Sequence, residues 1–304
     1  MRQKAETSSG GINFDRLQKI LAIYLLICFT LFLITCHKPP IAKYQLLSES
    51  SQRILSVTEE TYLRIAKLQH QFTVTTADRD KPITRDTFKP IIDGQSFDLL
   101  PELRFRETAI EVLVNYFRVL QALAERDFVS EVNPAAEKLA GSLKSLTESS
   151  ARLNRPVTKQ GTGLLASGAN AIGRSLVHKK RIKALKSVMD SSQVDLVQLA
   201  ELINSTNEKI KRFVDLMLDR IIAHANVARP DYDSPQRFAF DLRIADTINE
   251  GENINRTLDK LSQAINEIPP AHAAVRKMLD KKPETWATLQ QLTKDINQIS
   301  KSYR

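Results

Sequence analysis

The spacing of proline constrains the fold of this 304-residue chain more than any other feature. Proline breaks the interior of a helix but is tolerated in its first turn, so long helices are expected between prolines. Apolar residues within these stretches recur every three or four positions, which is the period of a helix and not of a strand. The Pro-free stretches are residues 41–81, 102–133, 157–229, 236–268 and 284–304.

The apolar stripes have the a/d spacing that is typical of helical bundles and coiled coils. The chain has nine glycines, about half the usual share, whereas sheets with many tight turns need more. We therefore predict an elongated all-α bundle without strands. Two stripes carry the prediction: Phe105, Ala109, Val112, Tyr116, Leu120 and Leu123, then Leu196, Ala200, Ile203, Asn207, Ile210, Val214, Met217 and Ile221.

Helix boundaries follow from the prolines and from residues that favour helix N-caps. Asp190, Ser191 and Ser192 predict a break in the longest stretch, because such side chains accept hydrogen bonds from the first turn of a helix. Residues 76–99 are predicted to be a long loop. Asn207 either lies on a partly exposed part of its stripe or fixes the oligomeric state, as buried polar a positions do. The predicted helices are 43–75, 101–127, 134–154, 160–188, 190–228, 235–268, 270–281 and 284–302.

The N-terminal forty residues predict attachment to a membrane. Residues 20–36 form a run of seventeen residues without a charged side chain, which follows a basic leader. This arrangement is typical of an export signal, and the run is just long enough to span a bilayer. Leu33-Ile34-Thr35-Cys36 resembles the lipobox of bacterial lipoproteins, although Thr35 stands where glycine, alanine or serine is usual. The resemblance implies lipidation of the Cys36 thiol.

The alternative to lipidation is an uncleaved membrane helix with its basic N-terminus inside. Both alternatives predict two parts: a signal or anchor in residues 1–40 and an extracytoplasmic bundle in residues 41–304. The localisation would be periplasmic or cell-surface. Both cysteines, Cys28 and Cys36, lie in the first part, so the bundle has no disulfide.

The positive charge of the chain is concentrated in one segment. The net charge is +9, and residues 149–189 contain nine basic residues and no acidic one, so the rest of the chain is balanced at 35 of each sign. Six of these basic residues are predicted to contact anionic lipid or an anionic polymer of the envelope. Each lysine or arginine near an anionic membrane surface contributes about 1 kcal/mol to the binding free energy. The six residues are Arg174, Lys179, Lys180, Arg181, Lys183 and Lys186.

Within this segment small residues recur at every fourth position, which gives two other interpretations. A smooth stripe lets a second helix pack closely, and the basic residues would then form a solvated face. Residues 161–177 are also similar to the apolar tongue of helical pore-forming toxins, which would imply insertion into a membrane. The small residues of the stripe are Gly163, Ser167, Ala171 and Ser175.

No motif predicts catalysis, a cofactor or a metal ion. The five histidines lie in different segments without metal-ligand spacing, and the chain has no P-loop or nucleophile elbow. The carboxylate pair Glu107 and Glu111 is typical of a polar helix face. We expect a binding or scaffolding protein with a protein partner or a second copy, and no nucleic acid, because no aromatic residues accompany the basic ones. An enzyme with a dispersed site has no support from the sequence.

Overall fold

The computed structural model describes residues 41–77, 91–92, 95–96, 99–125, 128–153, 178–280 and 294. All of them belong to a unit that extends from Pro40 to Arg304. The predicted all-α class is confirmed in these residues. Their helices are α1 (Ile41–Thr75), α2 (Leu100–Ala124), α3 (Phe128–Arg152), α4 (His178–Ala228), α5 (Ser234–Asn266) and α6 (Ile268–Met278), with a 3-10 turn at Arg229–Asp231.

The predicted break in the longest stretch is wrong, since α4 is one helix of 51 residues. At 1.5 Å per residue it is about 77 Å long. The Ser191 hydroxyl donates to the carbonyl of Ser187 at 2.9 Å, and the Ser192 hydroxyl can donate to that of Val188 at 2.8 Å. These side chains therefore bond backward along a continuous helix instead of capping a new one.

Prolines lie in the first turns of α2, α5 and α6. Asp233 caps α5, because its Oδ1 accepts a hydrogen bond from the backbone N–H of Gln236 at 2.9 Å. The prediction that α3 begins at Pro134 is wrong by six residues, since the helix begins at Phe128 and contains this proline. A proline so near the N-terminus removes few helical hydrogen bonds.

The prediction that residues 76–99 contain no strand is also wrong. Two short strands, β1 (Ile91–Ile92) and β2 (Gln95–Ser96), pair in an antiparallel manner. Asp93-Gly94 lies between them in the sequence. This dipeptide is a strong hairpin signal when apolar residues flank it.

The buried apolar side chains form two clusters along the bundle. Cluster 1 contains residues from all six helices, whereas cluster 2 contains residues from α1, α2, α4 and α5, together with Leu99. In α1 and α4 the residues of cluster 1 come before those of cluster 2 in the sequence, whereas in α2 and α5 they come after them. The four helices therefore alternate in direction. The two predicted stripes are confirmed as core, since all fourteen residues are buried.

Helices α4 and α5 approach each other closely at Gly251. A Cβ atom at this position would lie 2.5 Å from Cδ1 of Leu218, which is too close unless the leucine moves. Among the described residues, no helix combines the length and the apolar character that a membrane span requires. The predicted membrane segment and Cys36 lie outside them.

Candidate functional site

The predicted basic surface is described only in part. Arg174 and the stripe of Gly163, Ser167, Ala171 and Ser175 lie outside the described residues, as does the insertion segment 161–177. Lys179, Lys180 and Arg181 lie in the first two turns of α4. Lys183 is exposed one turn later.

Lys186 belongs to an ion-pair network between α4 and the end of α6. Its ammonium group pairs with Asp280, which also accepts from Nη1 of Arg276 at 2.6 Å. Arg276 binds Asp190 with two parallel hydrogen bonds of 2.7 Å, through its Nε and Nη2 atoms. Lys186 and Arg276 together lower the pKa of Asp280. The charge of Lys186 is therefore shared with a carboxylate of its own chain.

Close to this network, inside cluster 1, lies a group of buried polar side chains that we call the histidine cluster: Tyr116, Ser192, Gln193 and His272. The Tyr116 hydroxyl lies 2.8 Å from Nε2 of His272 and within hydrogen-bond distance of the Ser192 hydroxyl. Nδ1 of His272 lies 2.7 Å from Oε1 of Gln193. The Gln193 amide in turn donates to the carbonyl of Pro269 at 3.2 Å.

These contacts define one direction of donation. Because an amide oxygen only accepts, Nδ1 of His272 donates to Gln193, and Nε2 then accepts from Tyr116. The single proton of the Ser192 hydroxyl can be donated either to the Tyr116 oxygen or to the Val188 carbonyl of its own helix. Burial lowers the pKa of His272 to about 3, an effect that Asp190 opposes and Arg276 reinforces. Burial also raises the pKa of Tyr116. Both rings are therefore neutral at pH 7.

A second group of buried polar side chains separates the two apolar clusters, and we call it the arginine layer: Thr58 and Thr61 of α1, Arg106 of α2, and Thr206 and Asn207 of α4. On α1 and α4 these positions lie between the residues of cluster 1 and those of cluster 2, and on α2 Arg106 directly follows Phe105, the first residue of that helix in cluster 1. All five side chains are buried. On α5 the partly buried Ser262 accepts a 2.7 Å hydrogen bond from Nδ2 of Asn207.

Arg106 is the largest fully buried side chain among the described residues. Its Nη1 donates to the Tyr62 hydroxyl at 3.1 Å. Its Nε and Nη2 atoms have no hydrogen-bond partner in the described part of the chain. Burial raises the pKa of Tyr62 to about 12 although Arg106 opposes the shift, so the tyrosine is neutral and is not a counter-ion. Its ring lies 5.5 Å from the Arg106 guanidinium, within the range of a cation–π contact.

Asn207 is fully buried, so the prediction that it lies on a partly exposed stripe is wrong. Its hydrogen bond to Ser262 joins α4 to α5 within one chain. This contact pairs the two helices in register, as polar residues at a positions do in coiled coils.

The predicted carboxylate pair lies near a third carboxylate. Burial raises the pKa of Glu107, and Glu111 and Glu59 raise it further. Glu59 belongs to α1, so the two helices bring like charges together. No group of three potential metal-ligating side chains was found within the described residues. His70 and His224 are exposed there.

No protein-family model, curated protein or solved structure matches this chain. The candidate sites therefore depend on their own geometry.

Sequence reasoning missed both buried polar groups, although each left a signal. Tyr116 and Asn207 were placed on the apolar stripes, and a polar atom on such a stripe needs a buried partner. Arg106 is adjacent to Phe105 in the stripe of α2. Its burial could not be read from the periodicity, because an arginine at the edge of a stripe usually extends to solvent.

Proposed function

We propose that this protein is a membrane-tethered helical scaffold of the cell envelope, with its basic segment against an anionic surface. Residues 1–40 would attach the chain, through Cys36 or through a retained helix. The bundle would then present its binding surfaces outside the bilayer. Catalysis has no part in this proposal.

The observation that carries the proposal is the placement of the basic segment relative to the start of α1. The Tyr44 hydroxyl donates to Sδ of Met189 at 3.6 Å, so the beginnings of α1 and α4 lie at the same end of the bundle. Helix α1 begins at Ile41, directly after the predicted anchor. The lysines at the start of α4 thus belong to the same end of the bundle as the first residues after the predicted anchor.

The electrostatics of α4 also favour an anionic partner. Its first turn contains no acidic residue and is followed by Arg181 and Lys183. The N-terminus of a helix carries a partial positive charge, so basic side chains there are unfavourable unless an anion neutralises them. A surface of phosphate groups would supply this compensation.

The opposite end of the bundle offers a surface for a protein partner. Val227 at the end of α4 and Phe238 and Leu242 in α5 are 79%, 72% and 54% exposed. They lie close to the connection between the two helices, about 70 Å along α4 from its basic start. Phe238 and Leu242 are four residues apart and therefore share one face of α5. Exposed apolar side chains on one face are typical of binding surfaces.

The test is cosedimentation of residues 40–304 with vesicles, since both apolar clusters are formed by residues within this fragment. We expect binding to phosphatidylglycerol vesicles and none to phosphatidylcholine vesicles. Changing Lys179, Lys180, Arg181 and Lys183 to glutamine should weaken binding at least about 100-fold, since each charge contributes about 1 kcal/mol.

A control variant removes the same charge elsewhere, from the exposed residues Lys67, Lys209, Arg212 and Arg243. It should bind as the unchanged protein does. Equal losses in both variants would mean that only net charge matters, and absence of binding to anionic vesicles would contradict the contact. Leakage of an encapsulated dye would point instead to insertion of residues 161–177.

A further inference from the structure

Arg106 presents the edge of its guanidinium that binds oxoanions. The Nε and Nη2 atoms form the edge whose two N–H groups are parallel and match the two oxygens of a carboxylate or phosphate. In Arg106 these two atoms have no partner among the described residues, while Nη1 is held by Tyr62. The hydrogen bond from Nη1 to Tyr62 thus holds the guanidinium in place, while the Nε and Nη2 edge has no hydrogen-bond partner among the described residues.

Two other arginines of the same chain show what this edge does when an oxoanion is present. Arg276 binds both oxygens of Asp190 through Nε and Nη2 at 2.7 Å. Arg229 binds Asp241 through the same two atoms, with Nε to Oδ1 at 2.8 Å and Nη2 to Oδ2 at 2.7 Å. Both of these pairs are on the surface, whereas Arg106 is buried.

Burial makes a counter-ion more necessary for Arg106 than for the surface pairs. A guanidinium does not lose its proton in proteins, so it cannot become neutral as a buried lysine or histidine does. An unpaired buried charge is strongly unfavourable because it has lost its hydration. The surrounding hydroxyls do not replace a counter-ion, since those of Thr58 and Thr61 donate to carbonyls of their own helix.

The two nitrogens of the binding edge have no acidic hydrogen-bond partner on their own helix. Glu102 and Glu107 flank Arg106 on α2, but Nε and Nη2 of Arg106 form no hydrogen bond within the described residues. Tyr62, which holds Nη1 and lies with its ring 5.5 Å from the guanidinium, is neutral. The binding edge of Arg106 is therefore without a hydrogen-bonded counter-ion in this part of the chain.

We propose that the arginine layer is a binding site for one oxoanion, a carboxylate or a phosphate, held by Nε and Nη2 of Arg106. The site lies inside the bundle, between clusters 1 and 2. It differs from the basic segment at the start of α4 in position and in residues, and it does not depend on the proposed function.

The test measures the thermal unfolding of the full-length protein in detergent micelles, at constant ionic strength. Chloride is replaced stepwise by inorganic phosphate, by acetate or by a short-chain phosphatidic acid. A ligand that binds only the folded state raises the melting temperature, by about 5 °C at a concentration near 100 times its dissociation constant. A saturable rise with any of the three probes is the expected result.

Three variants assign the rise to Arg106. The rise should disappear in Arg106→Met and become small in Arg106→Lys, which keeps the charge but has no parallel pair of donors. It should persist in the control Arg104→Gln, because Arg104 is exposed on the same helix. Circular dichroism at 222 nm verifies that each variant is folded. If Arg106→Met does not fold, the response of Arg106→Lys decides the result.

The outcomes show whether an oxoanion binds and, if it does, whether it is a free anion or a lipid headgroup. A response to phosphate or acetate identifies a free anion, whereas a response to phosphatidic acid alone identifies a lipid headgroup. Absence of a response to all three probes, or an equal response in Arg106→Met or Arg106→Lys, would overturn the proposal. It would also be overturned if Glu102→Gln destabilised the unchanged protein but not the Arg106→Met variant, because Glu102 would then be the counter-ion.

Discussion

The histidine cluster and the arginine layer are both polar groups inside an apolar core, and they differ in how completely their atoms are paired. In the histidine cluster both ring nitrogens of His272 have partners at 2.7 and 2.8 Å. In the arginine layer two nitrogens of Arg106 and Oδ1 of Asn207 have none in the described part of the chain. A paired buried group adds specificity to a fold, whereas an unpaired one costs stability unless a ligand completes it.

The two groups also differ in what surrounds them. The histidine cluster joins α2, α4 and α6 and has aromatic neighbours, with Phe117 and Tyr116 ring centroids 6.4 and 5.7 Å from that of His272. The arginine layer lies where the apolar side chains of four helices are interrupted. The comparison suggests that the first group is structural and the second is a binding site. The following predictions test this difference.

The largest effect is expected from His272→Ala. The substitution removes a buried ring and one hydrogen-bond partner from each of Tyr116 and Gln193, so it combines a cavity with lost hydrogen bonds. We expect a loss of about 3–4 kcal/mol in the free energy of unfolding, measured by urea denaturation. His224→Ala is the control, since His224 is exposed, and it should change stability by less than about 0.5 kcal/mol. Equal effects would mean that the cluster is not part of the core.

The next largest effect is a pH dependence that originates in His272. Burial lowers the pKa of His272 in the folded state to about 3 from its ordinary value of 6.5. The unfolded chain therefore binds a proton below about pH 6.5 that the folded chain does not bind. Stability should fall on acidification by about 1.4 kcal/mol per pH unit and level off near pH 3.

The His272→Gln variant isolates this contribution, because carboxylates titrate in the same range. Asp190 and Arg276 are the charged groups that act on His272, and both are retained in the variant. The difference in stability between the two proteins should shrink by about 2.3 kcal/mol from pH 6.5 to pH 4.5. Parallel pH profiles would show that His272 is not buried in its neutral form.

A smaller effect of the opposite sign is expected from Arg106→Met. In buffer without carboxylate or phosphate, an apolar side chain of similar length removes the buried charge and fits between the two clusters. The free energy of unfolding should be unchanged or higher by about 1 kcal/mol. A loss above about 3 kcal/mol would show instead that Arg106 has a charged partner within the chain.

The smallest effect is expected from Asn207→Leu. This change removes the unpaired Oδ1 and leaves only Ser262 without its partner, and Ser262 is partly accessible to water. We expect a change of less than about 0.5 kcal/mol, and the same for Ser262→Ala. A loss near 2 kcal/mol would place Asn207 with His272 among the fully paired groups.

The helical positions and the core stripes were predictable because they follow from periodicity. The residues from Phe105 to Leu123 and from Leu196 to Ile221 that were assigned to the core are all buried. The boundaries of the helices were less predictable, because the same residue type can either cap a helix or lie inside one. Serine is such a residue, and Ser192 lies inside α4, where its hydroxyl is within hydrogen-bond distance of the Val188 carbonyl and of Tyr116 in α2.

The sequence by itself determined the all-α class, the apolar faces of the helices and the concentration of positive charge in one segment. These properties depend on the order of residues within single helices, where the period of 3.6 fixes which side chains share a face. Tertiary structure decided that Tyr116 meets His272 and that Lys186 pairs with Asp280. It also decided that Nε and Nη2 of the buried Arg106 have no hydrogen-bond partner among the described residues. Such contacts join residues far apart in the chain, so they exist only once the helices have packed against one another.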